Sequence, residues 1–260
     1  MMPILGDHLF VGLMAVAYPI YFTIEWHRRL GPQLETSGAH ARSRFYRRSM
    51  VELWLLMLLL LSWWLWSGRG LAALGLGVPG GWAFWIGALV VVALAIVLGL
   101  QVAAVRSTPE AQAQVRKQFR GVPALLVPRD VSERRQWVGL SLTAGFCEEV
   151  LYRGFVMWYS MTWLPGAAAV LVSAVLFGVA HLYLGWGVGV LRATIVGVVL
   201  GVAYLLTGTL WVSIVLHAVV DVTSGLTGSA AFEQGASAAH HTPGIAAQQQ
   251  QAADGAARRR

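Results

Sequence analysis

The sequence predicts an all-α fold, a polytopic transmembrane helix bundle with about seven spans. Hydrophobic residues make up 57% of the 260 residues and charged residues only 12%, whereas soluble proteins average roughly 45–50% and about 25%. The apolar residues form runs of about 20 residues, the length that crosses a bilayer. Arginines gather between these runs. The composition excludes disordered, fibrous and disulfide-rich chains and argues against a soluble enzyme.

The apolar runs define the predicted helices in chain order. The second is the clearest, with the segment LWLLMLLLLSWWLW, and the third is rich in Val, Ala and Leu. The sixth carries many glycines, which are typical of closely packed membrane helices. Trp and Tyr cluster at several span ends, where aromatic rings favour the membrane interface. The predicted spans are Leu9–Trp26, Val51–Trp66, Trp82–Val105, Trp137–Tyr159, Leu164–Leu184, Gly187–Thr207 and Leu210–Leu226.

Basic residues are distributed unevenly between the predicted spans. They are frequent after the first and third spans and at residues 258–260, whereas the connection after the second span has only Arg69. Because cytoplasmic loops are enriched in Lys and Arg, the N-terminus is predicted outside and the C-terminus in the cytoplasm. The expected location is a bacterial cytoplasmic membrane. The net charge of +7 is thereby attributed to membrane orientation, and no nucleic-acid partner is predicted.

Three regions follow from this pattern. Residues 1–136 form an N-terminal region of three spans with basic cytoplasmic loops, and residues 137–228 form a core of four spans. Residues 229–260 are rich in Ala, Gln, Gly and Ser, a composition that predicts a disordered low-complexity tail.

The four-span core contains ionisable residues at membrane depth. Each costs roughly 2.5–3.5 kcal/mol on insertion scales, so such residues are functional candidates. Glu149 and Arg153 are spaced i,i+4 and can pair on one helix face. Glu148 is turned by about 100° from Glu149, which leaves it free for chemistry. If the Glu149–Arg153 pair only stabilised the helix, the position of Glu148 in the span would have no explanation.

Two further i,i+4 pairs, Phe177 with His181 and His217 with Asp221, lie in later spans. Asp221 is expected to orient His217 and fix its tautomer. These groups could converge with Glu148 in one buried, wet cavity. Two His and one Glu (His181, His217 and Glu148) also match a hydrolytic zinc set.

Arg192 stands outside this set. It lies just inside the cytoplasmic end of the sixth predicted span, so we expect its side chain to snorkel to the interface. A contact with a substrate carboxylate is the less favoured alternative.

These residues carry a resemblance to a known family. The chain resembles the CPBP intramembrane proteases, also called the CAAX prenyl endopeptidase and bacteriocin-processing family, over roughly residues 137–226. Its three motifs occur in order as Glu-Glu-x-x-x-Arg at Glu148, Glu149 and Arg153, Phe-x-x-x-His at Phe177 and His181, and His-x-x-x-Asp at His217 and Asp221.

The resemblance implies that residues 137–228 are the catalytic core of an intramembrane endopeptidase. It implies that Glu148 and His181 activate a water, and that His217 and Asp221 stabilise the oxyanion or complete a metal site. Glu149 belongs to the same implied site, and Arg153 and Phe177 support its geometry.

The cofactor stays open under this resemblance, because family members are described both as metalloproteases and as metal-free glutamate proteases. A divalent metal such as zinc would use Glu148, His181 and His217. We prefer the metal-free mechanism, since no two ligands share the short spacing of a His-Glu-x-x-His motif.

The implied partners are the lipid bilayer and a membrane-associated protein or peptide. Candidate substrates are a lipidated protein, a bacteriocin-like leader peptide or a membrane-anchored sorting tail.

Two alternatives compete with proteolysis. One is a non-catalytic family member acting in bacteriocin self-immunity or scaffolding. The other is a proton-coupled transporter, because intramembrane Glu, Asp and His also form proton relays.

Overall fold

The chain is helical in almost all of the part that the computed structural model describes, residues 2–119 and 121–240. No strand occurs in that part, which confirms the predicted all-α class. The helices are α1 Leu5–Gly12, α2 Tyr18–Glu25, α3 Gly31–Trp66, α4 Gly81–Ser107, α5 Pro109–Gln118, α6 Val122–Leu126, α7 Val131–Glu148, α8 Met157–Met161, α9 Gly166–Ala180, α10 Arg192–Thr207 and α11 Leu210–His240.

Short segments of tighter or wider helix connect several of these elements. Turns of π-helix occupy Leu13–Ala17, Trp26–Leu30, Glu149–Val156 and Trp186–Leu191. Single 3-10 turns occupy Leu71–Leu74 and Leu182–Leu184. Turns of π-helix are rare and occur frequently at functional sites, and the one at residues 149–156 follows Glu148 directly.

The number of membrane spans differs from the predicted count of about seven, which is not confirmed. Among the described residues, four helical stretches are long and apolar enough to cross a membrane. They are Leu5–Trp66, Gly81–Ser107, Gly189–Thr207 and Leu210–Phe232.

The path and the length of the helices explain why the predicted number of spans is not confirmed. The helical stretch Leu5–Trp66 contains both of the first two predicted spans. It is interrupted at Gly38, which has φ 47° and ψ −117°, and it folds back on itself, since Asp7 near its start pairs with Arg69 just past its end. The fourth is divided between α7, the π-helical turn and α8. Helix α9 has 15 residues, or about 22 Å at 1.5 Å per residue, which is shorter than the hydrocarbon core of about 30 Å.

The outer surface of the bundle is apolar, as in an integral membrane protein. Helix α4 exposes Leu89, Val92, Ile96 and Leu100 along its length. A soluble protein rarely exposes a contiguous apolar patch of this extent. Helix α4 therefore presents the surface that lipid chains would cover.

Ion pairs place the basic stretches on one side of the molecule. Nε of Arg42, early in α3, donates to Oε2 of Glu133 in the first turn of α7 at 2.9 Å. Arg69 pairs with Asp7 at 2.6 Å beyond the other end of α3. Residues 42 and 66 are separated by about 36 Å of helix. Arg69 thus lies on the side opposite to the basic stretches around Arg42 and Glu133.

Small residues set the packing around the centre of the bundle. A Cβ on Gly145 of α7 would lie 3.0 Å from the carbonyl oxygen of Ile214 and from the amide nitrogen of Ala218 in α11. A Cβ on Gly197 of α10 would lie 3.0 Å from Cα of Ala174 in α9. Backbones approach closely at such positions because no side chain separates them.

The last helix corrects the predicted tail boundary. Helix α11 continues to His240, although disorder was predicted from residue 229. Ser229, Ala230 and Ala231 are buried, and the two alanines pack against Val105 and Val115. Alanine has the highest helix propensity, and this contact accounts for the longer helix. Residues 241–260 of the predicted tail lie outside the described residues.

Candidate active site

Glu148 and Glu149 lie where α7 passes into the π-helical turn at residues 149–156. Helix α7 begins at an N-cap, where Oδ1 of Asp130 accepts from the backbone N–H of Glu133 at 2.9 Å. Within the π-helical turn, the carbonyl of Tyr152 accepts a hydrogen bond from Oγ of Ser173 at 2.9 Å. This bond links the turn to α9.

Glu149 is the centre of a buried polar cluster. Its Oε1 accepts from Nη1 of Arg153 at 2.8 Å and lies 2.9 Å from Nδ1 of His217. The side chains of Glu149 and Arg153 are both 0% exposed. The guanidinium carbon of Arg153 lies 4.4 Å from the centre of the Phe177 ring. The predicted Glu149–Arg153 pair is therefore confirmed, and Phe177 packs against its cation.

The partner that orients His217 is Glu149, which corrects the prediction of Asp221. A carboxylate accepts hydrogen bonds, so Nδ1–H of His217 donates to Glu149. Oδ2 of Asp221 lies 3.5 Å from the other ring nitrogen, Nε2, and Oε2 of Glu148 lies 3.7 Å from it. These two distances exceed those of normal hydrogen bonds. Glu149 thus fixes the ring while Nε2 faces Glu148 and Asp221.

A cavity of about 390 Å³ brings four of the predicted site residues together: Glu148, His181, His217 and Asp221 all line it. Glu149 and Arg153 are not part of its wall. The side chain of Glu148 is 15% exposed and that of Asp221 is 37% exposed. Two carboxylates adjacent in sequence thus have different environments, since Glu148 faces the cavity and Glu149 lies behind His217.

His181 has a defined donor nitrogen. Its Nδ1 lies 2.8 Å from the carbonyl oxygen of Phe177, and a carbonyl oxygen only accepts, so Nδ1 carries the proton. In the neutral ring, Nε2 then keeps its lone pair. The ring centres of His181 and Phe177 are 4.6 Å apart. His181 is thereby oriented at the end of α9 with one basic nitrogen available.

The donors do not form a metal centre in this arrangement. Imidazole nitrogens and carboxylate oxygens are suitable zinc ligands. Among the described residues, however, no three His, Cys, Asp or Glu side chains are grouped so that they could hold one metal ion. The zinc set Glu148, His181 and His217 does not fit as placed, and we derive no chemical step through a metal.

Several residues of the cavity wall were missed by the sequence analysis. Tyr18, Phe22 and Phe45 come from α2 and α3, in the region that the sequence analysis separated from the core. No motif marks them, and only their aromatic character distinguishes them. Arg192 also lines the cavity, although its position near a span end favoured snorkelling.

A comparison with protein families identifies the core. Residues 131–223 match the model of the type II CAAX prenyl endopeptidase Rce1-like family. The match supports assigning this part of the chain to the CPBP/CAAX protease family. Neither a curated protein nor a solved structure matches the chain.

The CPBP/CAAX match covers the part of the chain that carries the polar groups of the cavity. It begins with α7 and ends within α11, two residues after Asp221. Helices α1 to α6 lie outside the match, although Tyr18, Phe22 and Phe45 complete the cavity wall. The family segment supplies the ionisable groups, and the N-terminal helices supply part of the enclosure.

Proposed function

We propose that this protein is an intramembrane endopeptidase that hydrolyses a peptide bond in a membrane-associated protein or peptide. One observation carries the proposal. Glu148 faces the same cavity as Nε2 of His217, while Glu149 holds His217 from behind through Nδ1. This arrangement supplies a carboxylate base with an oriented imidazole beside it, as hydrolysis requires.

Glu148 is the proposed general base. Its carboxylate takes a proton from a water molecule in the cavity as the water oxygen attacks the carbonyl carbon of the substrate. The same carboxyl group then returns the proton to the leaving amine when the carbon–nitrogen bond breaks. His181 accepts a second hydrogen bond from the water through Nε2. Water and peptide are consumed, and a carboxylic acid and an amine are released.

His217 is the proposed stabiliser of the tetrahedral intermediate. When its ring is protonated, both nitrogens donate, Nδ1 to Glu149 and Nε2 into the cavity. A donor already fixed at the site of the developing negative charge needs no reorganisation during the reaction. Asp221 lies 3.5 Å from Nε2 on the cavity side of the ring. Glu149 and Arg153 are positioning residues in this proposal, because they act through His217.

The proposed mechanism is of the glutamate type. The donor geometry supports it, because no three His, Cys, Asp or Glu side chains in the described part of the chain are grouped so that they could hold a metal ion. Activity that survives prolonged dialysis against a chelator agrees with this mechanism. Activity lost on dialysis and restored by added zinc contradicts it and favours the metalloprotease mechanism.

Peptide termini in membranes test the proposed activity. Cells producing the native protein are compared with cells producing Glu148→Gln at equal expression, and new termini are identified by mass spectrometry. Termini present with the native protein should be absent with Glu148→Gln. The matched control is Glu110→Gln, which removes an exposed carboxylate of α5 and should leave the termini unchanged.

The same comparison distinguishes the proposal from its alternatives. If no terminus differs while both proteins are folded in the membrane, proteolysis is excluded as the function. Protection against a bacteriocin that persists in Glu148→Gln then favours a self-immunity role. Proton-dependent transport that is lost in Glu148→Gln, without any change in termini, favours a transporter.

We further propose that the cavity opens to the cytoplasm of a bacterial cell, with the N-terminus outside. The ion pair between Arg42 and Glu133 supports this orientation, because it joins two basic stretches on one side. In a Cys147→Ser background, the substitution Val78→Cys should react with an impermeant maleimide on intact cells. Ser37→Cys should react only after lysis. The reverse pattern contradicts the orientation.

A further inference from the structure

Arg192 stands apart from the other arginines because it lines the cavity. It is the only Lys or Arg among the described residues of the cavity wall. A Cβ on Gly178 of α9 would lie 2.7 Å from the carbonyl oxygen of Val190. The turn that leads into α10 therefore packs against the last turn of α9, which ends next to His181.

The guanidinium of Arg192 has no partner in the described part of the chain. It makes no hydrogen bond and no ion pair there. Arg42, Arg69 and Arg153 each pair with a carboxylate within 3 Å. The carboxylates of the cavity wall, on Glu148 and Asp221, lie instead around Nε2 of His217. Arg192 thus gives the cavity a fixed positive charge that the protein itself does not neutralise.

A planar guanidinium binds a carboxylate through two parallel hydrogen bonds. We propose that Arg192 binds a carboxylate of the substrate, either the C-terminal carboxylate or an acidic side chain, and so positions the peptide for attack near Glu148. This proposal deepens the proposed endopeptidase function and rests on it. Arg192 is exposed, but it lines the same wall as Glu148 and His181. A peptide in the cavity can therefore reach the guanidinium and Glu148 together, and we favour a peptide carboxylate over a lipid phosphate.

A binding experiment tests the assignment without catalysis. The Glu148→Gln protein in phosphatidylcholine nanodiscs is incubated with random octapeptides carrying either a free C-terminal carboxylate or a C-terminal amide. Retained peptides are counted by mass spectrometry. Each library is also made without Asp and Glu, which separates the terminal carboxylate from acidic side chains. The variants combined with Glu148→Gln are Arg192→Gln, Arg192→Lys and, as control, Arg47→Gln, which removes an exposed arginine of the same basic side.

In the Glu148→Gln protein that keeps Arg192, we expect the retained amount of peptides with a carboxylate to exceed that of peptides without one by about tenfold or more. This is the effect of a hydrogen bond between charged groups. Arg192→Gln should abolish this preference, Arg192→Lys should restore part of it, and Arg47→Gln should leave it unchanged. Equal retention of both kinds of peptide by the Arg192 protein overturns the proposal, even if the peptide termini in cells depend on Glu148. If Arg192→Gln instead changes peptide retention only in discs that contain phosphatidylglycerol, and equally for all libraries, that result also overturns the proposal and assigns Arg192 to lipid phosphate.

The reaction provides a second test. With octapeptides that the native protein cleaves, Arg192→Gln should raise KM for carboxylate-bearing peptides and leave KM for amidated peptides without acidic residues unchanged. A merely structural role would lower kcat for every peptide alike, and that result refutes the positioning role. Loss of all cleavage in Glu148→Gln reports separately on the proposed function.

Discussion

Replacing Glu149 with Gln tests whether the buried charge pair holds the site together. The substitution keeps an oxygen acceptor for Arg153 and His217 but removes the negative charge. Arg153 then becomes a fully buried cation, and its Nε and Nη2 already have no hydrogen-bond partner. Removing one partner of a buried ion pair costs about 3–5 kcal/mol. The contact of Arg153 with Phe177 at 4.4 Å is present in the native protein and in the variant, so it does not change this difference. We expect a loss of about 3–5 kcal/mol in the free energy of unfolding.

The assay is reversible unfolding by sodium dodecyl sulfate in mixed micelles, followed by far-ultraviolet circular dichroism. Arg153→Met and the double variant Glu149→Gln/Arg153→Met complete a mutant cycle. The double variant should be more stable than the sum of the single losses predicts, because it leaves no buried charge unpaired. Arg29→Met is the control, since that side chain is 72% exposed and lies 3.9 Å from Glu25. Additive losses, or a change in Glu149→Gln as small as in the control, would refute the reasoning.

Three further changes are predicted in the same unfolding assay. Gly145→Ala should cost about 1–3 kcal/mol and lower activity, because its Cβ would meet the backbone of α11 at 3.0 Å. The control is Gly139→Ala, whose Cβ would lie 3.5 Å from the sulfur of Met50. Equal losses in the two variants contradict the prediction. Asp130→Ala should cost about 1 kcal/mol by removing the N-cap of α7, and an unchanged midpoint would show that the cap contributes nothing. Arg69→Met should cost about 3–5 kcal/mol because it leaves the buried Asp7 carboxylate unpaired; a smaller loss than in Asp130→Ala would argue against that pair as a structural contact.

The sequence predicts the local part of the site better than the long-range part. Spacing along one helix was enough to pair Glu149 with Arg153, because both side chains belong to the same turn. The same reasoning chose Asp221 for His217 and was wrong, since the actual partner, Glu149, comes from another helix. Periodicity carries no information on which helices touch. That information comes from close approaches such as the one at Gly145, which brings α7 against α11.

The count of about seven spans is not confirmed for a related reason. Hydropathy averages a window along the chain, so it does not show where a helical path is interrupted, as it is at Gly38 within Leu5–Trp66. It also gives the same weight to the 15-residue α9 as to the 27-residue α4. The contribution of Tyr18 and Phe45 to the cavity was invisible for the same reason, because it depends on how α2 and α3 pack against the core.

Two neighbouring carboxylates, Glu148 and Glu149, have different environments where α7 passes into the π-helical turn. A regular α-helix separates adjacent side chains by about 100°, and that separation alone directs Glu148 and Glu149 to different sides. The wider turn that follows reaches α9 through the bond from Ser173 to Tyr152 and places Arg153 where it contacts both Glu149 and Phe177. Glu149 is thereby committed to Arg153 and His217, and Glu148 is the carboxylate of this pair that remains in the cavity wall. In the proposed mechanism, an imidazole oriented by Glu149 stands beside the carboxylate of Glu148, which faces the cavity and activates the water.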